Sequence, residues 1–556
     1  MNTRSLFLML LLLIAPLAQA QFWDERALKL DPSTATAAVA PALDGLGDIH
    51  RPVTTTSADS QRFFDQGLAL AYGFNHSEAI RAFKEAARLD PGNAMAWWGV
   101  AWSLGPNLNL PMTPDAANPA WDALQKALAL RVRASPVEQG LIDALTRRYS
   151  NPAPESRAAL DRAFAEAMRE LAGRFPNDAD VLTVFADALM NLSPWNYWNA
   201  DGSPRGEAEL IVETLERALR KDPDHTGALH LHIHAIEAAD ARRAEASADR
   251  LLRQAPNAGH LVHMASHIYM NVGRYADAYA SNVAANEADN RYVAACAAQG
   301  LYPLFYHRHN QHFLTWAAMF QGRRAAAMDA GRLIAPGLTP GMIAGPFSET
   351  LQHLMSQPVY VMARFGRWQE MLAEPTPVAD YSFSTAVWHY GRGLAFRHTG
   401  QSGNARRELA ELERIARSPG MADKYVGFAP APAVLGIAVD ILAGELAAAR
   451  GDHAAAIARF DRAVRAQDGF LYNEPPDWYF PVRHYLGAAL LDAGRAAEAE
   501  VVYWQDLRRN PANGFALYGL AQAQKAQGKA GEADATAARL TGAWRDADVK
   551  LSSSRY

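Results

Sequence analysis

Small and aromatic residues return along this chain at the intervals of a helical hairpin, and that repeat restricts its fold more than its length does. Phe63, Gly67, Leu70, Ala79, Phe83, Ala86 and Pro91 mark out a unit of two helices and a turn, about 34 residues long. Gly444, Ala456, Phe460 and Ala463 repeat the pattern, Gly487, Leu490, Ala499 and Tyr503 repeat it again, and a weaker copy begins at Gly519. One such hairpin cannot bury its own apolar face, so hairpins must stack on one another. The 556 residues therefore need not divide into several globular domains. Alanine is abundant at the expense of Val, Ile and Thr, which favours helix throughout and leaves no all-β reading.

This spacing resembles the tetratricopeptide repeat, and the resemblance covers most of residues 60–545. It implies an all-α fold, an α-α superhelical solenoid (TPR-like) whose first helices line a concave groove. It also implies that the second, fifth, ninth and twelfth places of each repeat face that groove, where a protein or peptide is the usual ligand. On this reading residues 1–20 are a signal peptide, 21–59 an extended N-terminal segment and 60–225 N-terminal repeats. Residues 226–365 are central His-rich repeats, 366–545 C-terminal repeats and 546–556 a tail. Phe74-Asn-His76, Gly105-Pro-Asn107-Leu-Asn109 and the stretches 260–269, 309–314 and 474–479 are similar to a group of secreted bacterial tetratricopeptide proteins, from which no biochemical activity carries over.

Histidine fills the groove-facing places in the middle of the chain. A helix returns to one face every three or four residues, and His230, His234 and Glu237 are spaced four then three. His260, His263 and His267 are spaced three then four, and His309 and His312 three. With repeats beginning at Thr226, Gly259, Arg308 and Gln352, all of these side chains and His353 take groove-facing places. Leu229, Ile233 and Ile236 turn inward and His232 points elsewhere; His484 takes a groove-facing place further along.

Histidine is the commonest metal-ligand side chain and titrates near neutrality, so stacked stripes of it read as a metal or acid/base site. Two His four apart on one helix chelate a single ion, as in H-E-x-x-H zinc sites, although that motif is absent here. Packed helices lie about 8–10 Å apart, so neighbours can share an ion where three in a row scarcely can. Two centres are therefore expected, His230, His234, Glu237, His263 and His267 forming one and His260, His309 and His312 the other. Imidazoles in this excess favour copper or zinc, as one or two ions, over the carboxylate-rich sets that hold di-iron, calcium or magnesium. Neutral ligands leave a dication's charge unbalanced, which favours an anionic substrate and suits metal-assisted hydrolysis, with Glu237 as ligand or as catalytic base.

Other polar and aromatic features read as structural. Asn75-His76 and Asn107-Leu-Asn109 are expected to cap turns, and Trp97, Trp98, Trp102, Trp195 and Trp198 to pack the stack. An insertion at 291–307, with Tyr292, Tyr302, Pro303 and Tyr306, is placed to cover the site, and loops at 336–346 and 474–481 are further candidates for walls or lids.

The net charge of −5 is spread over mixed signs with no basic block to neutralise phosphates, so nucleic acid is not an expected partner. Arg4, the apolar run Leu6 to Ala15 and Ala18-Gln19-Ala20 have the pattern of a cleaved signal peptide, which places the protein in the periplasm or outside the cell. No later stretch reaches about 18 apolar residues without charge, so the chain is not expected to span a membrane. Cys296 is the only cysteine, which excludes an intrachain disulfide and any thiolate zinc site. Three functions follow from these readings: a metal-dependent oxidase or hydrolase acting on a small molecule, a protein- or peptide-binding scaffold of the cell envelope, and a non-catalytic metal buffer.

Overall fold

The structure, a computed structural model, describes residues 23–556, so the expected signal peptide lies outside the described residues. The chain is all-α, built of successive helical hairpins, with one two-stranded ribbon pairing Tyr425–Val426 with Ala429–Pro430 among the described residues. It falls into two compact units, one of residues up to Ile268 together with Ser281–His307, the other of Tyr269–Ala280 with Arg308–Tyr556. In the first unit Ala58–Tyr72 pairs with His76–Leu89, Ala94–Ser103 with Ala117–Leu130, Ala179–Met190 with Ala208–Lys221 and Thr226–Asp240 with Glu245–Gln254. In the second, Ser382–His398 pairs with Ser402–Ala416, Ala431–Ala448 with His453–Asp468, Arg483–Asp492 with Ala496–Arg509 and Gly514–Ala526 with Ala530–Ala543.

The residues that carry the repeat pattern are the ones that lock neighbouring hairpins. Phe83, fully buried, sits between two glycines, and a Cβ added at either Gly67 or Gly99 would lie 2.6 Å from its ring. Tyr503 is held in the same way between Gly487 and Gly519, at 2.5 and 2.1 Å, and Phe460 lies against Gly444 at 2.5 Å. An aromatic ring from the second helix thus fills the space that a missing side chain leaves on its own first helix and on the next, and core density depends on that fit.

Seven of the turns share a second regularity. Two residues before the second helix, Gly273, Gly322, Gly366, Gly400, Gly451, Gly494 and Gly528 all have positive φ, as a left-handed turn requires. Phe74 holds the same place in the hairpin Ala58–Tyr72/His76–Leu89, at φ 55°. A side chain in that conformation costs about 1–2 kcal/mol, so something must hold it there.

Outside the hairpins, residues 23–57 hold the short helix Glu25–Lys29 and are otherwise turns and irregular chain, and side chains of the first unit serve their backbone. Lys84 donates to the carbonyls of Ala27 and Leu30 (both 2.7 Å), and Gln66 bonds Leu43 N (2.9 Å) and Pro41 O (2.9 Å). Arg51 pairs with Asp178 (3.0 Å) and Asp180 (2.7 Å), and Asp180 also accepts from the Tyr72 hydroxyl (2.6 Å) and lies 3.1 Å from His225 Nε2. Burial opposes ionisation of Asp180, but His225 and Arg51 outweigh it and hold the carboxyl far below its ordinary range.

Two expectations change in the second unit. The helix expected from Gln352 is two short ones, Ser348–Met355 and Gln357–Arg364, because Pro358 lacks the N–H that would carry one helix through. The loop at 474–481 is core and not a lid: Trp478, Tyr479 and Phe480 are buried, Tyr479 stacks on Tyr360 with ring centres 4.2 Å apart, and Asp477 accepts from Asn473 Nδ2 at 2.6 Å. The helix Ala431–Ala448 is long and apolar enough to cross a membrane, yet most of it is buried in this unit and it carries Asp440, paired with Arg459 (3.0 Å), and Glu445, paired with Arg555.

The glycine–aromatic lock predicts that Gly67→Ala, which adds only one methyl, destabilises by about 1–3 kcal/mol through overpacking. Phe83→Ala should cost about 3–5 kcal/mol. Urea unfolding followed by circular dichroism measures both, and an unchanged midpoint for either would show that the ring does not join the hairpins.

Candidate metal centre

Two helices of the first unit carry the site. The helix Thr226–Asp240 starts at His225, whose Nδ1 accepts the Ala228 N–H at 3.1 Å. Leu229, Ile233 and Ile236 pack inward as expected, yet His230, His234 and Glu237 on the other face are no more than 3% exposed. The helix Gly259–Val272 is alike: Leu261, Met264, Ala265 and Ile268 are buried, and so are His260, His263 and His267. Gly259 lets the backbone approach Asp289, since a Cβ there would lie 2.0 Å from its carboxylate. Asp289 accepts the Tyr302 hydroxyl (2.9 Å), and that oxygen in turn accepts the His260 N–H (3.0 Å).

Five imidazoles from the two helices form a closed circuit. Ring centres are 5.0 Å apart for His230–His234, 5.3 Å for His234–His267, 4.9 Å for His267–His263, 5.6 Å for His263–His260 and 5.1 Å for His260–His230. Ligand atoms of His230, His234 and His260 lie within 4.8 Å of one another, as do those of His234, Glu237 and His267. His260, assigned from the sequence to a second centre, has its ring against His230. Sequence spacing places a residue on a face but not its reach along the neighbouring helix.

The outer nitrogens of four rings are held. His230 Nδ1 lies 2.5 Å from the Tyr72 carbonyl, His263 Nδ1 2.8 Å from Asn282 Oδ1, and His234 Nδ1 3.1 Å from Glu237 Oε1. Glu237 Oε2 is 2.9 Å from His267 Nδ1, so one carboxylate orients two rings. The contacts of His230, His234 and His263 are to acceptors, which favours the proton on Nδ1 and the lone pair on Nε2. The Nε2 atoms of His230 and His234 are buried with no hydrogen-bond partner among the described residues. Those of His263 and His267 face each other at 3.0 Å. Two lone pairs at that distance repel unless a proton or a cation lies between them.

Electrostatics keeps His230 and His234 in their neutral, donor-competent form. Burial, reinforced by His234, pushes His230 well below the usual imidazole range, and burial also lowers His234 against the pull of Glu237. Burial on its own would raise Glu237, but the imidazoles of His267 and His234 outweigh it and hold the carboxyl below its ordinary value.

Aromatic walls close over the rings: Tyr306 belongs to the insertion expected to cover the site, whereas Phe74 and Trp195 were not expected there. Phe74 lies 4.4 Å from His230, stacks on His234 at 6.2 Å and His260 at 5.7 Å, and so occupies its left-handed turn for the sake of this packing. Trp195, at φ 60°, sets its ring 5.0 Å from His234 and donates to Asn109 Oδ1 at 3.1 Å, while Asn109 Nδ2 reaches the Tyr306 hydroxyl at 3.4 Å. Tyr306, from the 291–307 insertion, is 4.7 Å from His260. Trp195 and Asn109, read as packing and as a cap, therefore line the site. Trp98 and Trp102 do pack as expected, stacked at 5.3 Å. The one signal available beforehand was Phe74 in a turn position that glycine holds in seven other hairpins.

His309 and His312 lie on the helix His307–Phe320, where His309 packs on Phe313 (5.0 Å) and His312 on His353 (5.7 Å). Burial and the neighbouring His353 push His312 well below its ordinary range, and burial takes His353 down to about 3. His484 has both nitrogens engaged, by Arg364 and Asp506 at 2.9 Å each, and is a buried structural residue. His232 does point elsewhere, 2.9 Å from Ser247 Oγ.

No protein-family model and no curated protein matches the chain. Among solved structures it is similar to the human IFIT1 dimer with m7Gppp-AAAA, at 14% identity over 88% of this chain and 90% of that one, with a TM-score of 0.32. It is also similar to the APC/C hetero-tetramer Cut9-Hcn1, at 13% identity over 88% and 74%, with a TM-score of 0.29. Superpositions this loose carry no argument about function.

The lowered imidazoles set the sign of the pH response. A folded state that disfavours His protonation keeps its full stability above the unfolded value of about 6.5 and loses it as pH falls below that. In chelator, stability should therefore decline from pH 7 to pH 5. His230→Phe, which keeps a ring in place, should flatten the decline by about 1.4 kcal/mol per pH unit. Urea midpoints at three pH values test this, and equal slopes for the two proteins would contradict it.

Proposed function

We propose that this chain is a metalloprotein of the periplasm or cell exterior, whose buried imidazole circuit holds copper or zinc for oxidation or hydrolysis of a small substrate. The observation that carries the reading is the pair His263 Nε2 and His267 Nε2 at 3.0 Å, each with its Nδ1 already engaged. Nitrogens bound to one tetrahedral zinc at about 2.0–2.1 Å stand roughly 3.3 Å from each other, so this pair already has ligand spacing. His230 and His234 offer two more buried donors, and the absence of thiolate from the set suits zinc or copper held by nitrogen.

The protein's own residues divide the work. Tyr72, Asn282 and Glu237 fix which nitrogen of each ring points inward, the second-layer arrangement that orients metal-ligating histidines and raises their basicity. Glu237 serves here as a positioning residue, since both of its oxygens face Nδ1 atoms. Phe74 and Tyr306 exclude water from the rings, and Trp195 with Asn109 stands at the partly exposed edge. A bound ion would supply Lewis acidity or, with copper, a redox couple.

Elemental analysis of the protein purified without a histidine tag tests the proposal. The expected result is near-stoichiometric copper or zinc that is lost in His263→Ala/His267→Ala and released at pH 4, where protons compete for the same nitrogens. Glu237→Gln should weaken metal binding by about 10–100-fold while the helices stay folded. A wild-type protein that holds no metal and ignores added copper and zinc would overturn the reading.

A further inference from the structure

A separate pocket in the first unit borders the imidazole circuit through Phe74 but uses none of its nitrogens. Tyr72, Phe74 and Trp102 give it aromatic walls, and His76, Ser103 and Asp187 line it with polar groups. It is small, with an interior volume of about 20 Å³ behind an open mouth.

The polar lining is matched to a donor. Asp187 is 6% exposed and makes no ion pair among the described residues; Asn191 Nδ2 donates to it at 3.0 Å and the Trp102 indole N–H donates to it as well. Arg148 acts on it only through space, because that guanidinium donates to the Pro106 carbonyl (2.8 Å), lies 4.0 Å from Asp161 and covers the Phe164 ring at 4.8 Å. Ser103 is 1% exposed and its hydroxyl has no hydrogen-bond partner among the described residues. A buried carboxylate without a cation and a buried hydroxyl without a partner are both costly, and both are relieved by one ligand that brings positive charge and N–H donors.

We propose that this pocket binds the ammonium group of a small aliphatic amine, with Asp187 and Ser103 accepting its N–H groups and the faces of Phe74, Tyr72 and Trp102 around its charge. An ammonium has three donors and no acceptor, and aromatic faces attract it. Burial pushes Asp187 up to about 6 and His76 down to about 4, so at neutral pH the carboxylate is charged and the imidazole is not. An anionic ligand would meet the Asp187 charge directly. The inference does not rest on the metal reading, because none of the groups it uses belongs to the imidazole circuit.

Saturation-transfer NMR on the full chain with ethylammonium, and with ethanol as the uncharged probe of like size, tests it. Ethylammonium should give a saturable signal and ethanol none. Asp187→Asn should weaken binding by about tenfold or more, the worth of one charge-assisted hydrogen bond. If Asp187→Asn fails to fold, Ser103→Ala provides the second variant and should weaken binding several-fold. Binding that survives EDTA supports an independent pocket, and binding that EDTA abolishes would place the amine on a metal and overturn the proposal. Equal signals from ethanol and ethylammonium would overturn it as well.

Discussion

Taking five imidazoles and a carboxylate out of water on two adjacent helices is the constraint that the rest of the first unit answers. Buried polar groups cost free energy unless each has a partner, and the surroundings hold outer nitrogens of these rings. Tyr72 gives its carbonyl to His230, Asn282 its amide oxygen to His263, and Glu237 its carboxylate to His234 and His267. Inward lie the unpartnered Nε2 atoms of His230 and His234, and the Nε2 atoms of His263 and His267 3.0 Å apart. A metal ion relieves that arrangement most completely, since one cation can accept lone pairs from several rings at once.

The support extends well beyond the two helices. Tyr72 is fixed at its hydroxyl by Asp180, which Arg51 of the extended N-terminal segment also grips, so a residue far from the rings helps set the carbonyl that orients His230. Phe74 and Trp195 both accept left-handed backbone to bring their rings onto His234. Strained residues gathered at one place are a mark of sites selected for something other than stability.

Periodicity made the fold and the two histidine stripes legible, because a helical face and a glycine–aromatic lock both repeat along the sequence. Phe83 between Gly67 and Gly99 is the pattern seen from inside. Lateral position was not legible: nothing in the spacing of His260, His263 and His267 says that the first of them turns toward His230. Groups that act through backbone or from other hairpins, such as the Tyr72 carbonyl, Asn282 and Asn109, leave no periodic trace. The loop at 474–481 looked like a lid from its Pro and aromatic content, but the same aromatic residues bury it in the core of the second unit.

X-ray absorption at the copper and zinc edges of the untagged protein tests the central claim most directly, because it reads the ligands themselves. The account predicts at least three imidazole nitrogens at about 2.0–2.1 Å, with the outer-shell scattering of histidine rings. A bound ion surrounded by oxygen alone, or an identical spectrum after His263→Ala/His267→Ala, would contradict it.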